Sequence, residues 1–199
     1  MEIWRVPKKT GKAFVAKIVH GLEKGKVFVL PTDTVYGLVA DAANSEAVEK
    51  VFQIKGREPG KPLPIFVEDI AMAKELADIK EKEERFLQKV WPGKVTVVLP
   101  SNNILPQATG TARTIGLRIP SYDLILSILR IFPRPLTGTS ANLAGTPSLR
   151  DSKDVVAQFK KREHRPDIVI DAGKLPLSLP STVIDWTGGK QKVLRQGAL

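Results

Sequence analysis

Residues 27–30, Val-Phe-Val-Leu, form an apolar run with no polar alternation, closed by Pro31. Such a run reads as a short strand buried on both faces, and a sheet covered on both sides needs helices around it. The flanking sequence supplies them. Thr10 stands ready to cap a helix carrying Phe14, Val15, Ile18, Val19 and Leu22 along one side, with Gly25 at its end. Asn44 or Ser45 starts a second helix, with Val48, Val51 and Phe52 inward and Gly56 as its stop. A strand is expected over 63–67, a helix capped by Asp69 to about Ala77, and another from about Lys80 to Trp91.

Strands are further expected over 95–99 and 114–119, with a short apolar helix opened by Ser121 and another capped by Ser152. The tail alternates apolar triplets at 168–170, 182–184 and 192–194 with turn residues. Helices and strands alternate in the first half and strands dominate the last third, which predicts an α/β fold with a mixed, twisted sheet. At 199 residues, with 42% hydrophobic and 26% charged positions, one large domain is expected.

Charge and the rarer residues narrow the function. The net charge of +10 and a pI of 9.8 point to anionic partners such as nucleotides or RNA, or to a Lys/Arg-rich solvated surface. Cysteine is absent, which excludes disulfide scaffolds and thiolate zinc sites. His20 falls in the first helix and His164 in the basic run 160–165, so both are expected to be structural or surface residues. A metal cluster or a Ser-His-Asp relay then has almost no material. No apolar run reaches the ~20 residues of a membrane helix, and the amino terminus lacks a secretory signal, so a cytoplasmic protein is expected.

Four loops after strands carry the candidate chemistry. Pro31-Thr32-Asp33-Thr34-Val35-Tyr36-Gly37-Leu38 crowds two hydroxyls, a carboxylate and a phenol into one turn, able to bind an amino acid's polar ends or to satisfy its own backbone. In 55–63, Lys55, Arg57 and Lys61 are held among two glycines and two prolines, as if to receive a polyanion. It is not a P-loop, since Pro62 occupies the place of the hydroxyl. Arg118 interrupts the apolar strand Gly116-Leu117-Arg118-Ile119, where it must reach solvent or find a partner. The segment 137–148 mixes Thr, Ser and Asn with glycines, which lets the backbone approach a phosphate or sugar closely. Ser181-Thr182-Val183 and Arg195 add weaker signals of that kind.

In order and spacing, these segments resemble the YrdC-type L-threonylcarbamoyladenylate synthases, over residues 11 to 197. The resemblance rests on Pro-Thr-x-Thr-Val-Tyr-Gly-Leu, Lys55-x-Arg57, Leu117-Arg118-Ile119-Pro120, Ser140-Ala141-Asn142, Ser181-Thr182-Val183 and Leu194-Arg195-x-Gly197. It implies a single YrdC-like domain over 1–199, a twisted mixed sheet with flanking helices and an open, concave basic cleft. The implied reaction joins L-threonine, bicarbonate and ATP into threonylcarbamoyl-AMP with release of pyrophosphate, the first step of tRNA threonylcarbamoyladenosine modification. Threonylcarbamoyl transferase proteins would take the product onward, and tRNA or double-stranded RNA is a further implied partner.

By resemblance, Lys55, Arg57, Ser140 and Asn142 form the catalytic group around the nucleotide. Thr34, Tyr36, Arg118, Gly138 and Ser181 would hold threonine, with Arg118 on its carboxylate. Arg57, Lys61, Thr114, Ser140, Asn142, Ser148 and Arg195 would contact ATP, with Mg²⁺ bridging its phosphates. A displacement at phosphorus needs in-line positioning and charge neutralisation more than a protein nucleophile, so scarce histidine is no obstacle. The chain departs from the family pattern at Lys61, where asparagine is common, at Phe66 in place of a frequent histidine, and at Pro180 in place of glutamate; the extra carboxyl-terminal domain of longer members is not expected. Two other readings remain open: a non-catalytic module for double-stranded RNA or tRNA, and a carbamoyl-adenylate-forming domain related to hydrogenase maturation.

Overall fold

The computed structural model describes residues 1–7, 10–57, 62–105 and 113–198. In chain order these form β1 (Glu2–Arg5), α1 (Lys12–Glu23), β2 (Phe28–Leu30), β3 (Gly37–Val39), α2 (Ser45–Lys55) and β4 (Ile65–Phe66). Next come α3 (Ile70–Leu76), α4 (Glu81–Val90), β5 (Val95–Pro100), β6 (Thr114–Arg118), α5 (Asp123–Ile131), β7 (Leu136–Thr137) and β8 (Thr139–Ser140). The last are α6 (Ser152–Phe159), β9 (Ile168–Asp171), β10 (Thr182–Asp185) and β11 (Lys192–Arg195).

The α/β class and the mixed strand directions hold, with the sheet divided in two. One sheet has the order β1-β9-β2-β3-β8 and the other β11-β10-β5-β6-β4-β7. Each contains parallel and antiparallel pairs. Only Gly138 separates β7 in the second sheet from β8 in the first, so the chain crosses between sheets at that residue. A Cβ there would lie 2.6 Å from two carbons of the Phe66 ring, so only glycine passes at this distance.

β2 is buried on both faces, as its unbroken apolar pattern requires. Phe28 and Leu30 join one core cluster with Ile18 and Leu22 of α1 and Ile125 and Ile128 of α5. Val27 and Val29 join the other, with Val48 and Val51 of α2 and Val97 of β5. Each such side chain contributes ~1.5–3 kcal/mol of burial. Asn44 caps α2 by accepting the Ala47 N–H, and Asp69 caps α3 by accepting that of Met72.

Three expected caps are displaced by one residue. Gly11, with no side-chain bond, precedes α1 where Thr10 was expected. Tyr122 rather than Ser121 precedes α5, and the Ser121 N–H goes to Asp33 Oδ2. Asp151 caps α6 by accepting the Lys153 N–H, while the hydroxyl of Ser152 is taken by Asp171. β1 and the strand character of 37–39 were not anticipated, because short segments paired through distant partners carry little periodicity.

Candidate functional site

A cleft of about 770 Å³ opens where the two sheets meet at Gly138. Thr96 of β5, Thr114, Gly116 and Arg118 of β6 and Val183 of β10 line it from the second sheet. The loop through Thr32 and Thr34, the end of α2 and the segment around Ser140 and Asn142 enclose it. Four cations (Lys55, Arg57, Arg118 and Arg195) stand in this lining, and among the described residues lining it there is no carboxylate. The site is therefore built for negative charge.

Lys55 closes α2, and Gly56 follows in the left-handed conformation at φ 58°, which turns the chain so that Arg57 reaches the same cleft. Lys55 Nζ donates to the carbonyl oxygens of Ser140 at 2.6 Å and Asn142 at 3.0 Å. That contact staples the helix end to the β8 segment. Burial, and then the neighbouring Arg57, bring the Lys55 ammonium down to about 8. Arg57 donates through Nη2 to the Pro62 carbonyl, and its buried Nε has no acceptor among the described residues.

Asn142 is the complementary group. Its Nδ2 donates to the carbonyls of Leu143 at 2.9 Å and Thr146 at 2.6 Å, which fixes the amide orientation. Oδ1 is then a buried acceptor with no donor among the described residues. An unmet buried acceptor is costly, and a ligand's hydroxyl or amino group would satisfy it.

Arg118 is buried and held on three sides. Nη2 forms an ion pair with Asp33 Oδ1 at 2.6 Å, Nε donates to the Gly93 carbonyl at 2.8 Å, and Nη1 meets Thr34 Oγ1 at 3.4 Å. Burial lowers its basicity, while Asp33 acts in the opposite direction. Thr32 organises the loop beneath by accepting the N–H groups of Thr34 and Val35 and donating to the Val35 carbonyl. For Thr32, the reading of a turn that satisfies its own backbone is therefore correct. Phe66, the residue in place of the frequent histidine, has its ring centre 5.9 Å from the Arg118 guanidinium carbon.

Ser181 occupies the far end. Arg195 donates through Nε and Nη2 to its carbonyl at 3.1 and 2.8 Å, and through Nη2 to its hydroxyl at 3.2 Å. Thr96 Oγ1 lies 2.9 Å from the same hydroxyl.

Of the residues expected here, Thr34, Lys55, Arg57, Thr114, Arg118, Gly138, Ser140, Asn142, Ser181 and Arg195 all line this one cleft. Lys61 lies outside the described residues. Ser148 is not in the lining. Tyr36, expected to line it, is fully buried instead, its hydroxyl donating to the Gly173 carbonyl at 2.8 Å and accepting the Ala172 N–H at 3.0 Å. Burial pushes that phenol up to about 12, so it stays neutral and braces the loop from behind. Asp33 was visible as a loop carboxylate, but its partner was not. Thr96 was missed because a lone threonine in an apolar strand carries no signal of its own.

Among the described residues there is no group of three or more acidic or histidine side chains able to hold a metal, and no helix long and apolar enough to cross a membrane. The cleft supplies fixed cations, hydroxyls and one unmet acceptor, a set that can bind and align a polyanion bearing hydroxyl or amino donors.

Comparison with known proteins places this geometry in context. The profile of the Sua5_yciO_yrdC family, described as "Telomere recombination", matches residues 20–197. The chain is 34% identical over 180 residues to a threonylcarbamoyl-AMP synthase of Pyrococcus abyssi, covering 89% of this chain and 52% of that protein. It is 31% identical over 188 residues to the enzyme of that name from Bacillus subtilis, covering 93% and 54%. The chain thus spans about half the length of these relatives. A crystal structure of P. abyssi Sua5 complexed with L-threonine superposes with a TM-score of 0.91 at 31% identity, covering 99% of this chain and 58% of the other.

Proposed function

Because the chain belongs to the Sua5/YciO/YrdC family, we propose that it makes threonylcarbamoyl-AMP from L-threonine, bicarbonate and ATP, as the names of its relatives suggest. The observation that carries the reading is the convergence of four cations from three separate segments on one lining in which no described residue is a carboxylate. A triphosphate is the ligand such a lining suits.

In this reading, threonine's amine and bicarbonate form a carbamate: the nitrogen bonds to the bicarbonate carbon, and one C–O bond breaks with loss of water. One carbamate oxygen bonds to the α-phosphorus of ATP, the bond from that phosphorus to the bridging oxygen breaks, and pyrophosphate leaves with the electron pair. Lys55, Arg57 and Arg195 balance the phosphate charge, and Ser140 donates to an oxygen. Asn142 Oδ1, which has no donor among the described residues, takes a hydroxyl or amino hydrogen of the nucleoside rather than a phosphate. With no lining carboxylate described, Mg²⁺ enters as part of the substrate, held by the triphosphate itself.

At the other end, Arg118, Thr34 and Ser181 hold the amino acid, the ligand carried by the P. abyssi structure. Arg118 has N–H bonds left over from Asp33, Gly93 and Thr34 to meet its carboxylate. We place the protein in the cytoplasm, with transferase proteins that use the adenylate to modify tRNA.

The decisive experiment is the product's mass after incubation with ATP, L-threonine and labelled bicarbonate. A threonylcarbamoyl-AMP peak carrying the label is expected. Its absence, with label appearing only when carbamoyl phosphate replaces threonine and bicarbonate, would move the protein to carbamoyl-adenylate chemistry.

A further inference from the structure

We propose that Thr96, on the central strand β5, is a substrate-positioning residue that holds the Ser181 hydroxyl in place at the amino-acid end of the cleft. The inference rests on the reading of that end as an amino-acid pocket.

Thr96 of β5 pairs with Val183 of β10, which pairs with Arg195 of β11; Ser181 stands two residues before Val183, and Gly116 of β6 lies diagonally beside Thr96. A Cβ on Gly116 would lie 3.4 Å from the Thr96 γ-methyl, so that methyl packs onto the bare glycine. A β-branched side chain seated in this way keeps one χ1, and the Thr96 hydroxyl is thereby aimed at Ser181. Thr96 is 3% exposed and Ser181 8%, so both hydroxyls are largely shielded from water except toward the cleft.

The arithmetic of protons then decides the chemistry. Arg195 Nη2 can only donate, so it occupies one lone pair of Ser181 Oγ. The 2.9 Å contact between the two hydroxyls consumes one of their two protons, whichever oxygen donates. The other is left for the cleft that both residues line. The pair therefore offers the cleft one hydroxyl proton, which a ligand oxygen, carboxylate or hydroxyl, can accept, together with the lone pairs that Arg195 does not occupy. Thr96 holds that donor in register, because without its hydroxyl the Ser181 rotor loses its second tether.

The test is calorimetric L-threonine binding to the full chain with wild type, Thr96→Val and Thr96→Ser, alongside turnover with ATP and bicarbonate. Valine keeps the shape and removes the hydroxyl, and is expected to weaken L-threonine binding about fivefold, the scale of one hydrogen bond. ATP-analogue affinity should stay at its wild-type value, and the melting temperature should fall slightly for the lost buried hydrogen bond. Serine, which restores the hydroxyl without the seated γ-methyl, should recover part of the threonine binding. Unchanged threonine affinity in Thr96→Val, an equal loss of nucleotide affinity, or no recovery in Thr96→Ser would overturn the proposal, as would a wild type that binds no threonine. A wild type that binds threonine through Thr96 yet yields no adenylate would support this inference while removing the proposed reaction. Normal turnover with a silent Thr96→Val would do the reverse.

Discussion

Arg118 Nη2 lies 2.6 Å from Asp33 Oδ1, and both side chains are almost fully buried, at 4% and 8% exposure. A buried pair of this kind adds little net stability over apolar replacements, yet removing one member leaves the other charge uncompensated. Asp33→Ala is therefore expected to destabilise the fold by about 3 kcal/mol in urea unfolding. Asp33→Ala with Arg118→Met should lose clearly less than the sum of the two single variants. Strict additivity would mean that the contact carries no coupling.

Lys55 provides the pH prediction. Its ammonium sits at about 8 in the folded protein against an ordinary value of 10.5. Between those values the unfolded chain binds more protons, so this residue makes stability rise with pH across that window. Nucleotide affinity should move the other way, because a triphosphate favours the charged form and the amine loses its proton above about 8. Titration with a non-hydrolysable ATP analogue at about pH 7 and about pH 9 is expected to show weakening in the wild type at the higher pH, with proton uptake on binding above about pH 8. Lys55→Met should bind about tenfold more weakly at the lower pH and lose the pH dependence. If the same slope persists in that variant, another group is responsible.

Gly138 is where the chain crosses between sheets, against the Phe66 ring. Gly138→Ala should cost about 2 kcal/mol by overpacking, read as a lowered thermal midpoint. Adding Phe66→Leu should recover part of it by clearing the ring. A Gly138→Ala variant that melts like the wild type would mean the crossing relaxes freely.

Tyr36 separates bracing from binding. Tyr36→Phe removes the hydroxyl bridge to Ala172 and Gly173. A loss of about 1 kcal/mol in stability is expected. The KM for threonine should stay within about twofold of wild type, since the phenol is not in the lining. A large KM effect at unchanged stability would return Tyr36 to the substrate.

Much of the fold was legible because it rests on local chemistry. The unbroken apolar run at β2, the caps at Asn44 and Asp69 and the left-handed stop at Gly56 each follow from a few neighbouring residues. β1, β3 and the crossing at Gly138 were not, because their partners are remote or their strands very short.

For the site, the sequence by itself determined which residue types were available: the cations, the hydroxyls, the amide, and no cysteine. Only the tertiary structure decided how each is used. Lys55 meets Ser140 and Arg118 meets Asp33 across 85 positions of chain, and Tyr36 meets Gly173 across 137. Whether a buried polar group spends its hydrogen bonds on the protein or keeps one for a ligand depends on which partners folding brings within about 3 Å. No local pattern encodes that distance.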